Sequence, residues 1–338
     1  MRAAIINAPH QMQVGAWETP MPGAGEVLVS VEAAGVCAGD MYIYLGKNPY
    51  ASYPQIGGHE IAGVVSEVGE GVEGLDRGMP VVVEPFIGCG TCYPCRIGKT
   101  NCCAQLSIIG VHRAGGFAEF VLAPARNVHR VPPGLSLPFA SFAEPVAIGV
   151  QACRRGEISA GELVLVVGAG PIGLAVTEVA RARGAHVIAT DIMPSRLETA
   201  RSLGAETLPA GEGLLTAVME HTDGEGAPVV VEATGNTKAM EQTVDLVAAG
   251  GRIVILGLAR QGDKVSFPAL DWTRKEMTVV GSRASVNCFP ESLQLLADGK
   301  ITYPRVASEF PMWTAPDVFA QLASKLESVH KAVLVRDA

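Results

Sequence analysis

The stretch Leu163-Val-Leu-Val-Val-Gly-Ala-Gly-Pro-Ile-Gly173 decides the fold of this chain. It opens with five apolar, mostly β-branched residues, which predict a strand buried on both faces, as in a parallel sheet. Gly168, Gly170 and Gly173 then form a G-x-G-x-x-G pattern where the strand should become a helix. The first glycine allows a tight turn, the second lets a pyrophosphate approach the backbone, and the third lets the helix pack on the strand.

A helix predicted over Pro171–Arg183 would hold the phosphates at its positive N-terminus. Proline suits the first turn because its missing N–H would have no partner there. A second strand is predicted at His186–Thr190, and Asp191 stands at its end, eighteen residues after Gly173. An acid here accepts hydrogen bonds from ribose hydroxyls and repels a 2′-phosphate, which favours NAD over NADP. The alternative role of this aspartate is a helix N-cap.

Composition sets the outer limits. The chain has 338 residues, 48% of them hydrophobic, which is enough for two domains with cores of their own. The net charge is −8 without a visible basic cluster, which argues against nucleic acid as a partner. No apolar run reaches membrane-spanning length, and residues 1–7 read as a strand rather than a signal peptide. We therefore expect a cytoplasmic protein whose eight cysteines are metal ligands or core residues.

The sequence pattern changes near residue 147. Before it, short valine-rich runs separated by Pro- and Gly-rich turns predict a mostly β region, with strands at Val27–Val31, Ile61–Val65, Val81–Val83 and Phe117–Val121. After it, strands alternate with helices, which predicts a parallel, doubly wound sheet. The strands predicted there are Val164–Val167, Val187–Thr190, Val229–Glu232, Ile253–Leu256 and Met277–Val280. In the tail we predict helices at Glu291–Ala297 and near Asp317–Leu326, and a last strand at Ala332–Val335.

Four cysteines are spaced C-x2-C-x2-C-x7-C, at Cys89, Cys92, Cys95 and Cys103. Four thiolates from one glycine-rich lobe can close a tetrahedron around Zn²⁺ and leave no position for a substrate. We therefore predict a structural zinc. Cys102 remains an alternative fourth ligand.

A second set of metal-ligand residue types is dispersed, at Cys37, His59, Glu60 and Glu144. A catalytic zinc takes three protein ligands and keeps one position open. Taken singly, each of these residues is more often a core or surface residue than a ligand.

With these motifs in hand, the chain resembles the zinc-dependent medium-chain dehydrogenase family over essentially its whole length. The resemblance implies an α/β fold in two parts. Residues 1–146, completed by 286–338, would form a GroES-like, mostly β catalytic domain, and residues 147–285 a Rossmann NAD-binding domain.

The resemblance also implies a second zinc. Cys37, His59 and Glu144 match the catalytic ligand positions, and Glu60 matches a residue that ligates zinc in some members and stands behind it in others. A glutamate in place of a cysteine at position 144 is typical of the polyol branch.

Two residues depart from the family pattern. Gly39 stands where a serine or threonine usually relays the substrate proton, and Tyr42 stands where polyol enzymes often have histidine. The usual exit path of the proton is therefore not expected here.

Further stretches are similar to sugar-acid dehydrogenases of the L-gulonate and L-galactonate type and to a related starvation-sensing protein. They are residues 43–50, 110–113 and 281–290. Threonine dehydrogenases share part of this pattern.

We therefore predict an NAD-dependent, two-zinc dehydrogenase of a sugar acid or polyol, and a homodimer or homotetramer, as in relatives. The alternatives are a threonine or neutral polyol dehydrogenase and, from another class, a dinucleotide-binding regulator without turnover. Arg283 is predicted to bind a substrate carboxylate through two parallel hydrogen bonds. The other predicted substrate contacts are Tyr42, His112 and Asn287, and further cofactor contacts are predicted at Ile172, Arg196, Leu256, Leu258 and Ser282.

Overall fold

The structure is a computed structural model that describes residues 1–49, 51–324 and 329–336. Tyr50, at the end of a branch-specific stretch, and Lys325 and Leu326, at the end of a predicted helix, lie outside the described residues. The chain divides into two compact units. The first comprises Met1–Glu144, Phe289–Ala297 and Pro304–Ala338, and the second Pro145–Cys288 and Asp298–Tyr303.

In the described part of the chain the strands are β1 (Arg2–Ala8), β2 (Gln11–Ala16), β3 (Glu26–Val36), β4 (Glu60–Val68), β5 (Pro80–Val83), β6 (Phe86–Ile87), β7 (Ser107–Ile108), β8 (Phe120–Pro124), β9 (Val128–Arg130), β10 (Leu163–Val167), β11 (His186–Asp191), β12 (Glu206–Pro209), β13 (Ala227–Glu232), β14 (Val247–Ile255), β15 (Thr278–Gly281), β16 (Ser308–Pro311) and β17 (Ala332–Val335). The α-helices are α1 (Ala38–Tyr44), α2 (Tyr93–Arg96), α3 (Leu137–Ala140), α4 (Ala143–Arg155), α5 (Pro171–Ala182), α6 (Pro194–Ser202), α7 (Leu214–His221), α8 (Thr237–Leu246), α9 (Ala269–Arg274), α10 (Phe289–Ala297) and α11 (Ala315–Ala323). None of these helices is long and apolar enough to cross a membrane.

The second unit is built on a six-stranded sheet in the order β12-β11-β10-β13-β14-β15, with every pair parallel. Its central strands β10 and β13 are almost entirely buried on both faces, and Leu165, Val230 and Ile253 are fully buried. The strand order reverses between β10 and β13, and the carboxyl ends of strands at such a reversal form the usual ligand site of an open α/β sheet. The predicted doubly wound parallel sheet is confirmed.

The first unit is mostly β. Its largest sheet has the order β16-β17-β3-β4-β5-β9, and β8 also pairs with β3. The long strand β3 therefore holds the unit together, with antiparallel neighbours β4, β8 and β17. Phe117, Phe319 and Ile61 fill the core against it.

One predicted strand is displaced in the structure. The strand predicted at Phe117–Val121 is observed as β8 (Phe120–Pro124). The reason lies in the pairing of Phe117, which donates its N–H to Gly57 and accepts the N–H of Ala4 at 2.8 Å. Its hydrogen bonds therefore lead away from β3, and the ladder with β3 begins only at Phe120.

The tail differs from the sequence prediction in one further respect. Residues 286–288 and 298–303 belong to the second unit, although we assigned all of residues 286–338 to the first. The buried carboxylate of Glu178 on α5 accepts both backbone N–H groups of Thr302 and Tyr303, at 2.8 and 2.7 Å. This contact joins two segments more than 120 residues apart, which no local pattern reveals.

Candidate functional site

The cysteine lobe brings four thiols together. The Sγ atoms of Cys89, Cys92, Cys95 and Cys103 all lie within 4.8 Å of one another. Backbone N–H groups of the lobe point at the sulfurs, for example that of Cys89 at the Sγ of Cys103, 3.2 Å away. Cys103 is buried within the group, whereas Cys102 is exposed and outside it. The geometry therefore selects Cys103 as the fourth predicted ligand.

The thiols of the cysteine lobe differ in pKa, because hydrogen bonds and burial act on them unequally. Thr91 and neighbouring backbone N–H groups lower the pKa of Cys89 to about 5. Burial raises the pKa of Cys95 to about 12, and the neighbouring thiols add to this shift. Four sulfurs this close cannot all carry charge unless a cation joins them, which suits the chemistry of a four-thiolate zinc site.

The second group forms where β3 and β4 meet in the first unit. Cys37 follows β3 directly and is the N-cap of α1, while His59 and Glu60 lie at the start of β4. Ligand atoms of Cys37, His59 and Glu60 lie within 4.8 Å of one another. His59 and Glu60 are buried and Cys37 is half-buried. The antiparallel pairing of Gly35 with Glu60 produces this convergence.

Asp40 supports this group, a role that our sequence analysis missed. Its Oδ1 lies 3.5 Å from Nδ1 of His59 and accepts the N–H of Gly58, and its Oδ2 accepts the N–H of Cys37 at 2.9 Å. Burial alone would lower the pKa of His59, but the charge of Asp40 outweighs it and raises the pKa well above the usual value. The acid three residues after an N-cap Cys37 was the available signal, since an acidic residue at that place reaches back to the cap.

Lys331 is a second residue that we missed. Its fully buried ammonium group donates to Oε1 of Glu60. The other oxygen of Glu60, Oε2, is buried and has no hydrogen-bond partner. The two residues are 271 positions apart, so no motif connects them.

Glu144 lies in the first turn of α4 and is buried. Burial raises its pKa to about 7, and the charges of His59, Glu60 and Lys331 act on it, which places it near the group. Its carboxylate is nevertheless not among the ligand atoms that lie within 4.8 Å of one another in the described residues.

The donor set of the second group fits zinc. A thiol, an imidazole and carboxylates are the ligand types that zinc uses in catalytic sites. An unpaired buried carboxylate oxygen such as Oε2 of Glu60 is costly unless a cation or donor joins it. Asp40 on Nδ1 of His59 matches the carboxylate that commonly orients a metal-bound imidazole.

The glycine-rich turn in the second unit has the expected geometry. Gly168 has a φ of +103°, and Gly170 is the N-cap of α5, with Pro171 in its first turn. A Cβ on Gly173 would lie 1.8 Å from the carbonyl oxygen of Gly168, so only glycine allows the helix to approach the strand. Ile172, beside Pro171, is half-buried.

Asp191 ends β11 beside this turn. Its Oδ2 accepts the N–H of Ala169 at 2.9 Å, and its Oδ1 accepts the N–H of Met193 at 2.9 Å. Arg196 lies 3.5 Å from Oδ2. The carboxylate thus links the glycine turn to the loop that follows β11, and the arginine places a positive charge beside it.

The other predicted cofactor residues follow the next two strands. Leu256 and Leu258 follow β14, the first buried and the second exposed, and Ser282 follows β15 with its hydroxyl buried and without a hydrogen-bond partner. Sequence analysis missed Glu232, at the end of β13. Its buried carboxylate accepts the N–H groups of Thr234 and Gly235 at 2.7 and 3.0 Å and so fixes the adjoining loop.

The predicted substrate residues are all exposed and fall on both units. Tyr42 lies on α1 of the first unit, one turn after Gly39. His112 belongs to the same unit, and its Nδ1 accepts the N–H of Ile108 at 3.1 Å. Arg283 and Asn287 share the loop that follows β15 in the second unit.

Residues 23–133 match the alcohol dehydrogenase GroES-like domain, and residues 171–298 match the zinc-binding dehydrogenase domain. The chain is 38% identical to the L-galactonate-5-dehydrogenase of Escherichia coli (strain K12), over 99% of this chain and 98% of that protein. The chain belongs to the zinc-dependent medium-chain dehydrogenase family. The predicted family and the GroES-like plus Rossmann architecture are confirmed.

Other members of this dehydrogenase family extend the comparison. The L-threonine 3-dehydrogenase of Pyrococcus abyssi is 42% identical over 71% of each chain. The structure of the alcohol dehydrogenase rspB from E. coli CFT073, complexed with NADH, has a TM-score of 0.92 with 33% identity and covers 99% of both chains. A zinc-binding dehydrogenase from Sinorhizobium meliloti 1021 bound to NADP has a TM-score of 0.92 with 32% identity, over 99% of this chain and 98% of that one. The protein is accordingly an oxidoreductase that acts on alcohol groups, as predicted.

Proposed function

We propose that the protein oxidises a secondary hydroxyl group of a sugar acid or polyol with NAD, using one catalytic and one structural zinc. The observation that carries the proposal is the convergence of the half-buried Cys37 with the buried His59 and Glu60, in which Oε2 of Glu60 is an acceptor without a partner. This set has the ligand chemistry of a catalytic zinc.

Each residue of the site has its own task. Cys37, His59 and Glu144 would hold the catalytic zinc, with Glu60 beside them, and Asp40 holds the imidazole ring of His59 in place. When bound, zinc supplies Lewis acidity toward the substrate hydroxyl, and the nicotinamide of NAD accepts the hydride. Burial of His59 and Glu60 keeps water away from the ligand atoms.

The proton of the substrate hydroxyl needs a path that does not use residue 39. A Cβ on Gly39 would meet only Cε1 of His59, at 3.6 Å, so the position is open and has no hydroxyl. Tyr42 lies on the same face of α1, three residues later, and its phenol group is more than half exposed. We assign the transfer of this proton toward solvent to Tyr42.

The preference for NAD rests on Asp191. Its carboxylate would accept ribose hydroxyls and repel a 2′-phosphate. Arg196, 3.5 Å away, weakens that repulsion without removing the acid. Structures of relatives are known with NADH and with NADP. The quantity to measure is therefore the ratio of the catalytic efficiencies with NAD and with NADP.

The proposed substrate class rests on Arg283 and its loop. Arg155 donates to the carbonyl group of Gly281 at 3.0 Å, and Arg154 donates to that of Asn287 at 2.9 Å, so both ends of the loop are held. Ala284 and Asn287 adopt left-handed backbone conformations, with φ of +45° and +52°. Such strain persists only where the surroundings enforce it, often at ligand sites. A held loop with an exposed arginine suits capture of a carboxylate.

One assay tests the proposal and its alternatives. NADH formation is measured with sugar acids, neutral polyols and L-threonine at matched concentrations. Turnover of a sugar acid supports the proposal. Turnover of L-threonine alone would favour a threonine dehydrogenase, the activity named for the Pyrococcus relative. Turnover of neutral polyols alone would exclude the binding of a substrate carboxylate by Arg283. Binding of NADH without turnover of any substrate would indicate a dinucleotide-binding regulator. This alternative arises because Gly39 lacks the hydroxyl that usually relays the substrate proton.

The proposal includes a homodimer or homotetramer in the cytoplasm. None of the described cysteines forms a disulfide, as expected in a reducing compartment. Light scattering measures the oligomeric state.

A further inference from the structure

Strand β13 is apolar except for its last residue, Glu232, which is fully buried. A buried carboxylate lowers stability unless hydrogen-bond donors surround it. Three donors converge on its Oε1, namely the N–H groups of Thr234 and Gly235, at 2.7 and 3.0 Å, and the hydroxyl group of Thr234. The carboxylate therefore binds the loop that follows its own strand.

The hydrogen bonds continue from this loop into helix α8. The hydroxyl oxygen of Thr234 accepts the N–H of Asn236 at 2.9 Å. Asn236 is the N-cap of α8, and its side-chain oxygen accepts the N–H groups of Lys238 and Ala239 at 2.9 and 3.2 Å. One hydroxyl group thus connects the buried carboxylate of Glu232 with the start of the helix.

The loop after β13 also lies against the loops that follow its two neighbouring strands. A Cβ on Gly168, in the glycine turn after β10, would lie 2.7 Å from Cγ2 of Thr234. A Cβ on Gly257, after β14, would lie 2.1 Å from the backbone N of Gly235 and 2.6 Å from Oε2 of Glu232. The three loops therefore pack without room for a side chain at these two glycines.

These three loops lie where the cofactor is expected to bind. The strands β10, β13 and β14 are neighbours in the sheet, and the strand order reverses between β10 and β13. A dinucleotide binds at the carboxyl ends of the strands at such a reversal, with its pyrophosphate on the glycine turn. A shift of the loop after β13 would therefore change the surface that receives the cofactor.

We propose that Glu232 is a positioning residue for the dinucleotide, which acts through Thr234 to hold the loop after β13 against the glycine turn. The inference rests on the cofactor part of the proposed function, because it requires NAD at this edge of the sheet. Glu232 is fully buried, so it would not itself touch the cofactor. Without this link, residues 233–236 would have to become ordered when the cofactor binds, and that ordering would lower the affinity.

The first test removes the hydroxyl group of Thr234 and keeps the shape of the side chain. Thr234→Val retains a methyl group against Gly168, but it neither donates to Glu232 nor accepts from Asn236. Its affinity for NADH, measured by fluorescence titration without substrate, should fall about tenfold, because two hydrogen bonds that shape the site are lost. Thr234→Ser, which retains the hydroxyl group, should resemble the wild type.

Thr243→Val provides the matched control. The hydroxyl group of Thr243 is also buried and donates to the backbone carbonyl group of Met240 at 2.6 Å, but it lies within α8 rather than at a strand end. Both valine variants should lower the melting temperature of the cofactor-free protein, and only Thr234→Val should weaken the binding of NADH. Unchanged affinity in Thr234→Val, or an equal loss in Thr243→Val, would overturn the inference.

A double-mutant comparison shows whether Thr234 and Glu232 act together. Glu232→Gln keeps the shape of the side chain and should also weaken the binding of NADH, because its amide replaces an acceptor with a donor. In the Glu232→Gln background, Thr234→Val should add little further loss. Fully additive losses would show that the two residues act separately and would contradict the proposal. If Thr234→Val does not fold, Glu232→Gln alone is compared with Thr243→Val by the same criteria.

The wild type separates this inference from the proposed function. If the wild type binds NADH and the variants bind it equally well, the role of Glu232 alone is wrong. If the wild type does not bind NADH, both the role of Glu232 and the proposed cofactor are wrong.

Discussion

Oδ1 of Asp40 lies 3.5 Å from Nδ1 of His59 and accepts the backbone N–H of Gly58, the residue that precedes this histidine. One carboxylate therefore holds both the ring and the backbone beside it. With Nδ1 facing the carboxylate of Asp40, Nε2 is the nitrogen left for a metal. The helix α1, which carries Asp40, thus orients the histidine that immediately precedes β4.

Asp40→Asn should weaken zinc binding at the catalytic site by about 10- to 100-fold, because a neutral amide holds the imidazole less firmly and leaves it less basic. Competition with a chelator measures the affinity. Asp76→Asn, on an exposed turn of the same unit, is the control. An unchanged affinity in Asp40→Asn would show that the ring is oriented by packing alone.

The cysteine lobe should bind zinc for stability rather than for chemistry. Elemental analysis should find about two zinc ions per chain, one in a closed site and one in an open site. Cys92→Ser should lose one of them and lower the melting temperature, with little change in the turnover of enzyme that remains folded. Cys102→Ser, a neighbouring exposed thiol, should change neither. If Cys92→Ser had the same metal content and melting temperature as the wild type, a zinc in the cysteine lobe would be excluded.

Asp191 should set the choice of cofactor. The wild type should use NAD more efficiently than NADP, and Asp191→Ala should narrow the gap, because it removes both the repulsion of the 2′-phosphate and the acceptor for the ribose. Steady-state kinetics with both cofactors give the ratio. Arg196→Ala should raise the preference for NAD over NADP, since it removes the positive charge that offsets the carboxylate of Asp191. A wild type with equal efficiencies would contradict the prediction.

The carboxylate of Glu144 should contribute to zinc binding at the catalytic site. Glu144→Ala should lower occupancy of one zinc while the zinc in the lobe remains. Because burial raises the pKa of Glu144 to about 7 in the metal-free protein, its carboxyl group keeps a proton below that pH and must release it to bind metal. Zinc affinity of the wild type should therefore rise as the pH increases through 7, and this rise should be smaller in Glu144→Gln. Full occupancy and turnover in Glu144→Ala would rule out the role.

Arg283 should recognise the carboxylate of the substrate. Arg283→Leu should cost about 2–4 kcal/mol in catalytic efficiency toward a sugar acid, because a charge-assisted hydrogen bond is lost. The affinity for NADH alone should barely change. If the affinity for NADH falls as much as the efficiency, the arginine binds the cofactor, and the substrate need not be an acid.

The sequence predicts a structural feature well when all of its residues are close together in the chain. The glycine turn after β10 and the cysteine lobe are of this kind, because spacing alone brings their atoms together. Asp40 could have been found by the same logic, since it reaches back to its own N-cap. Lys331 and Glu232 could not. The first contacts a residue 271 positions away, and the second shows its role only when the carboxyl ends of β13 and its neighbours are known.

The ion pair between Lys331 and Glu60 also fixes an order of events during protein synthesis. A ribosome adds about 5–20 residues per second, so roughly 15–55 s separate the synthesis of Glu60 from that of Lys331. All of the second unit, up to Tyr303, is made in that interval. Until β17 emerges, residues 33–35 of β3 lack one of their two strand partners and Glu60 lacks the Lys331 counter-ion. The nascent chain can therefore complete its nucleotide-binding half first, and the metal-binding half reaches its final charge balance only after translation has passed residue 331.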